Sequence, residues 1–104
     1  MDTKKTKEKI LDISDVKGAR ANIDDLIVFG NGDQFLLVCK ASSPSQGWMK
    51  STKAMQIDGV GCVIQVTTQQ GQNVAEALTF VPGVKIREIR RSDGTVTSRE
   101  IVSI

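Results

Sequence analysis

A chain of 104 residues, 39% apolar and 25% charged, has ordinary globular composition. That excludes a fully disordered or collagen-like chain and leaves room for one core. Histidine is absent and there are two cysteines, which excludes Ser-His-Asp and Cys-His catalysis, imidazole zinc sites and all-cysteine zinc sites. The formal charge of +2 is too small for strong duplex binding through many phosphates.

The first segment, residues 1–17, is distinct. Thr3 to Ile13 reads TKKTKEKILDI, with a narrow apolar stripe of Ile10, Ile13 and Val16 among helix-favouring residues and Ile10, Leu11 and Ile13 as the docking side chains. It is expected to form a short charged helix or arm of net charge +1 that docks on the rest. No apolar stretch of signal-peptide or membrane-span length follows it, so the expectation is a soluble intracellular protein with no membrane partner.

Residues 18–104 read as a single β-rich domain. Leu26 to Phe29 and Phe35 to Cys39 flank Gly30-Asn31-Gly32-Asp33, a hairpin signal. Ser42 to Gly47 is loop by composition, and Trp48 to Ile57 is a strand candidate. Asp58-Gly59-Val60-Gly61 marks a turn before the β-branched run Cys62 to Thr68. A polar turn, Gln69 to Asn73, precedes the strand candidate Ala75 to Val81, and Pro82-Gly83 then offsets the chain. Cys39 and Cys62 each lie in an apolar run and are expected to be buried free thiols.

The last segment can be registered. With Asp93-Gly94 as a two-residue turn, Ile86 falls opposite Ile101, Arg87 opposite Glu100 and Glu88 opposite Arg99. One alignment thus gives an apolar pair and two pairs of opposite charge, each contributing roughly 0.2–1 kcal/mol. The fold class expected is mainly β: one small antiparallel sheet or partly closed barrel of about six strands, with a short N-terminal helix.

Several motifs bear on function. Trp48-Met49-Lys50-Ser51-Thr52-Lys53 sets an aromatic beside two cations and two hydroxyls, the parts that bind single-stranded nucleic acid by base stacking along a positive groove. A tryptophan on a sheet edge with solvated lysines is the alternative. Positive charge is segmental: residues 34–57 carry +3 and residues 85–104 carry +2, while 18–33 and 58–84 are each −2. The expected nucleic-acid contacts are therefore Trp48, Lys50 and Lys53, with Lys85, Arg87, Arg90 and Arg91 of the final hairpin. Gly30-Asn31-Gly32 and Gly59-Val60-Gly61 lack the following Lys-Ser/Thr of a phosphate loop, and no metal or organic cofactor is expected.

Trp48 to Met55, Gly61 to Gln70 and Ala75 to Ile86 together resemble small proteins carried by tailed bacteriophages. Among these, the Drc family binds single-stranded DNA and serves as a cofactor of the phage RNA polymerase. The resemblance implies a phage accessory protein and transfers no site residue. The leading expectation is a non-enzymatic single-stranded nucleic-acid-binding accessory protein of the host cytoplasm, acting in transcription. Alternatives are a virion structural or decoration protein that binds other capsid or tail proteins, and an inhibitor that occludes a host protein. A homo-oligomer built through edge strands is expected as well.

Overall fold

The computed structural model describes Val16, Ala19 and residues 23–104. The helix or arm expected over 1–17 lies outside the described residues, apart from Val16. Six strands follow in chain order: β1 (Leu36–Ser43), β2 (Trp48–Ile57), β3 (Gly61–Gln70), β4 (Asn73–Pro82), β5 (Val84–Arg90) and β6 (Val96–Ser103). β1 to β4 form one antiparallel sheet in sequential order, and β5 pairs with β6 as a separate hairpin. The described strands close no barrel. Each turn is too short for anything but an antiparallel return, so the meander is the direct outcome of the turn spacing.

Three differences from the sequence reading stand out. Leu26 to Phe29 forms no strand, and Ile27 and Phe29 are 96% and 98% exposed; the Asn31-Gly32 turn has no first strand to join. Apolar content alone did not make a strand there, because no described strand pairs with that segment. Second, β1 runs through Ser42 and Ser43 into the expected loop, because Ser43 finds a pairing partner in Trp48. Third, the β5–β6 tip is not a two-residue turn. Ile86↔Ile101, Arg87↔Glu100 and Glu88↔Arg99 pair as expected, but the register shifts between Ile89 and Arg90, which faces Val96. The Arg91 N–H donates to the Thr95 carbonyl, leaving three residues in the loop. The Asp93 carboxylate accepts the Thr95 N–H at 2.9 Å, which closes this longer loop and holds the Asp93 carboxyl below its usual range.

The hairpin steps across one end of the sheet. The Cys62 thiol of β3 donates to the Val84 carbonyl at 3.7 Å. Gln56 of β2 accepts the Ile86 N–H at 2.7 Å. Arg99 of β6 donates to the Leu37 carbonyl of β1 at 2.9 Å. Ala54 and Cys62, both fully buried, lie beneath this crossing. Their small side chains let the second layer approach closely, and burial pushes the Cys62 thiol pKa up. Cys39 is exposed instead, contrary to expectation, because the hairpin covers only one end of this face and stops short of it.

Candidate functional site

Alternation along a strand sends successive side chains to opposite faces. On β2, Trp48, Lys50, Thr52, Ala54 and Gln56 share the hairpin-bearing face, while Met49, Ser51, Lys53 and Met55 share the other. The register extends these rows across the sheet. Ala41, Lys50, Thr68 and Ala75 form one row, Cys39, Thr52, Val66 and Ala77 the next, and Ser43, Trp48, Gln70 and Asn73 the outermost. This face therefore sets Trp48 in the outermost row beside Gln70 and Asn73 and, around Lys50, carries mostly small and hydroxyl side chains, with Val66 among them. A shallow recess of about 340 Å³ lies there, lined by Cys39, Ala41, Lys50, Thr52, Val66 and Thr68 among others.

Trp48 is half-buried, and its indole N–H donates to Gln46 at 3.2 Å, which ties one edge of the ring to the β1–β2 loop. Lys50 is exposed and has no carboxylate partner among the described residues. It lies two residues from Trp48, about 7 Å along the strand, and is flanked by the hydroxyls of Thr52 and Thr68. Such a set can stack one planar group and bind one anionic group.

The other expected contacts are not gathered with these two. Lys53 projects from the opposite face, 13% exposed, and its ammonium lies 3.7 Å from the Asp33 carboxylate. Its separation from Lys50 by three positions forces that result, because odd spacing on a strand reverses the side. Arg87 pairs with Glu100 across the hairpin. Arg90 holds Glu88 at 2.7 Å and the Gly94 carbonyl at 2.8 Å. Lys85 and Arg91 are exposed. Lys85 and Arg87 alternate with Val84, Ile86 and Glu88, which face the sheet, and so lie on the outer side of the hairpin. The hairpin arginines are largely spent on register and docking.

Thr52 and Thr68 stand out in the sequence as hydroxyl side chains, but their gathering about Lys50 over an alanine floor comes from the strand pairing. Pairing β2 with β3 about Asp58-Gly59-Val60 would have placed Thr68 opposite Lys50, so the signal was present in the turn length.

A second recess lies between residues 31–36 and β5, lined by Asp33, Gln56, Ile86 and Glu88. Its two carboxylates are already committed, Asp33 to Lys53 and Glu88 to Arg90 and Arg99. The hydrogen bond from Arg99, aided by Arg90, holds the Glu88 carboxyl below its ordinary range. The two Glu88 contacts hold the hairpin together, and Arg99 also reaches the Leu37 carbonyl that docks it, which gives this recess a structural origin.

No helix among the described residues is long and apolar enough to cross a membrane. Residues 6–102 match the model of one protein family, the Lockin family. No curated protein matches the chain, and no solved structure matches it.

Proposed function

We propose that this chain, which belongs to the Lockin family, is a non-enzymatic accessory protein that binds single-stranded nucleic acid on the open half of its four-stranded sheet. The observation that carries the reading is that Trp48 and Lys50 share one face of β2, with Lys50 at a recess lined by Ala41, Thr52 and Thr68. Base–aromatic stacking needs a ring with a free face, and a sheet floored by alanine and threonine lets a base lie close to the backbone. Lys50 supplies the charge for a phosphate beside that base. With Lys53 on the far face and the arginines engaged elsewhere, the site fits about one stacked nucleotide with its phosphate and not a long tract. The resemblance to small proteins of tailed bacteriophages supports a phage accessory protein acting in the host cytoplasm, and a role as a transcription cofactor is one such accessory role.

Trp48 is the only tryptophan, so its fluorescence reports the site directly. Titration with a labelled oligothymidylate, with duplex DNA and with a free nucleoside monophosphate should show quenching by single strands well ahead of duplex. Trp48→Ala should cost about 1–3 kcal/mol of binding. Lys50→Ala should lower the salt dependence by about one contact, and Lys53→Ala should leave both unchanged. Equal affinity for single strands and duplex, or loss of binding with Lys53→Ala but not with Lys50→Ala, overturns the reading. Quenching by the monophosphate equal to that by the strand would restrict the ligand to a single nucleotide.

A second reading rests on β4. Nine of its ten residues are exposed and no described strand pairs with its outer edge, a surface suited to another protein strand. This supports protein binding, either to other virion proteins or to a second copy through edge strands.

A further inference from the structure

The two edges of the four-stranded sheet are built differently. β1 carries a register shift between Leu37 and Cys39, a lysine at position 40, and an arginine from β6 on the Leu37 carbonyl. Bulges, lysines and covering groups are the devices that keep an edge strand from pairing with another chain. Among the described residues β4 has none of them before Pro82. It pairs with β3 over all ten residues without a register shift, and its one charged residue is Glu76. Val74, Leu78 and Phe80 on one face of β4 are 57%, 62% and 46% exposed.

We infer that β4 pairs antiparallel with β4 of a second copy, with Leu78 on the two-fold axis. The inference deepens the protein-binding reading and rests on it. The main chain sets which residues take part. The two-residue turn Gly71-Gln72, with Gly71 at φ +58°, makes Gln70↔Asn73 the first pair of the β3–β4 hairpin. In such a turn that closing pair is hydrogen-bonded, and bonded pairs then alternate with unbonded ones. Asn73, Ala75, Ala77, Thr79 and Val81 therefore spend their N–H and C=O groups on β3. Val74, Glu76, Leu78 and Phe80 direct theirs outward.

Charge selects the register. A two-fold axis normal to the sheet keeps each face continuous, so opposed residues share parity. With Ala77 on the axis, each Glu76 faces Leu78 and the two carboxylates approach as diagonal neighbours. With Leu78 on the axis, Leu78 meets Leu78, Glu76 faces Phe80, and the carboxylates stand four positions apart, about 13 Å, beyond a physiological screening length. Glu76 stays engaged with Gln65 and Thr67 of its own sheet, at 3.4 and 3.3 Å. Ala75, Ala77 and Thr79 on the other face are too small to block the approach. This register makes about eight main-chain hydrogen bonds, Pro82 contributing none as donor, within the number that a standard specific interface carries. The product is a continuous eight-stranded sheet whose two outer edges are the protected β1 strands.

The test uses the full chain. Light scattering should give twice the 11.3 kDa chain mass, falling to the chain mass on dilution. Leu78→Lys should shift the dimer dissociation constant at least 100-fold and leave the β circular dichroism unchanged, since the side chain is exposed in one copy. Opposed Cα atoms in a bonded pair lie about 5.5 Å apart, within disulfide reach. Leu78→Cys in a Cys39→Ser background should therefore oxidise to a covalent dimer, and Ala77→Cys in that background should do so far less, because Ala77 faces Thr79 across the axis. A wild-type chain that stays monomeric at its solubility limit overturns the dimer, as does a dimer that survives Leu78→Lys. Cross-linking through Ala77→Cys in preference to Leu78→Cys overturns the register. A monomer whose titration with a purified virion protein is abolished by Leu78→Lys would leave the protein-binding reading standing and sink only the self-pairing.

Discussion

The β3–β4 and β5–β6 hairpins are neighbours in the chain, separated by Gly83 alone, and they are stabilised in different ways. β5–β6 is laced by charge: Arg87 pairs with Glu100, and Glu88 receives both Arg90 and Arg99. It is also docked, through Gln56, Cys62 and the Leu37 carbonyl. β3–β4 has no ion pair between its strands among the described residues. Its register follows from the short turn at one end and a close backbone approach at the other. The charged hairpin thereby closes its surface against the rest of the fold, while β3–β4, whose single charged residue is Glu76, leaves the β4 edge without a partner strand among the described residues. Ion pairs hold a register because a one-residue slip either way sets like charges opposite; a strand with no cross-strand ion pair gains no such guard and keeps its capacity to pair again.

The largest effect should come from breaking that close approach. A Cβ on Gly61 would run into the Val81 carbonyl oxygen and sit 2.9 Å from the Pro82 Cα. Backbone cannot yield as a side-chain tip can, so Gly61→Val should cost about 3 kcal/mol, the upper end for overpacking. Urea unfolding with an unchanged slope would measure it. A loss below about 0.5 kcal/mol would mean that the base of the open hairpin is not closely packed.

The charged hairpin should respond less. Glu88 and Arg99 are partly buried, and Glu88→Lys should destabilise by about 1–2 kcal/mol. Adding Arg99→Glu should recover part of that, the rest staying lost with the contacts to Arg90 and the Leu37 carbonyl. Singles that sum to the double would show that the two residues are not partners. The same contact has a pH signature. The Glu88 carboxyl is depressed in the fold, so its stabilisation is fully present above the ordinary carboxylate range and is lost as pH falls through the depressed value. Amide exchange on acidification, corrected for intrinsic rates, should therefore rise first in β5–β6, and prior loosening of β3–β4 would reverse the comparison.

The smallest perturbation reads cover alone. Cys62 lies under the docked hairpin and Cys39 on the open half of the same face. A thiol reagent should modify Cys39 rapidly in the native protein and Cys62 only on unfolding. Equal rates would mean that the hairpin does not stay docked.

Much of this was legible in the residues themselves. Turn residues at Asp58-Gly59 and Gly71 separate β-branched runs, and the opposite charges of β5 and β6 fit a single alignment. These are local signals, because a turn and the pairs next to it involve residues close in the chain. Trp48 and Lys50 were legible as candidates from residue type, and two-residue spacing put them on one side.

The amino-acid order by itself determined the antiparallel meander, the register of the last hairpin and the absence of histidine chemistry. Tertiary structure alone decided which apolar runs found a partner, which left Leu26 to Phe29 unpaired. It decided which half of a sheet face was covered, burying Cys62 and exposing Cys39. It also decided which cations were left for a ligand, engaging Lys53 with Asp33 and Arg99 with Glu88 and β1. The physical reason is common to all of these. Strand period assigns a side chain to a face, but what packs against that face is set by segments distant in sequence, and their docking depends on contacts that no local pattern encodes.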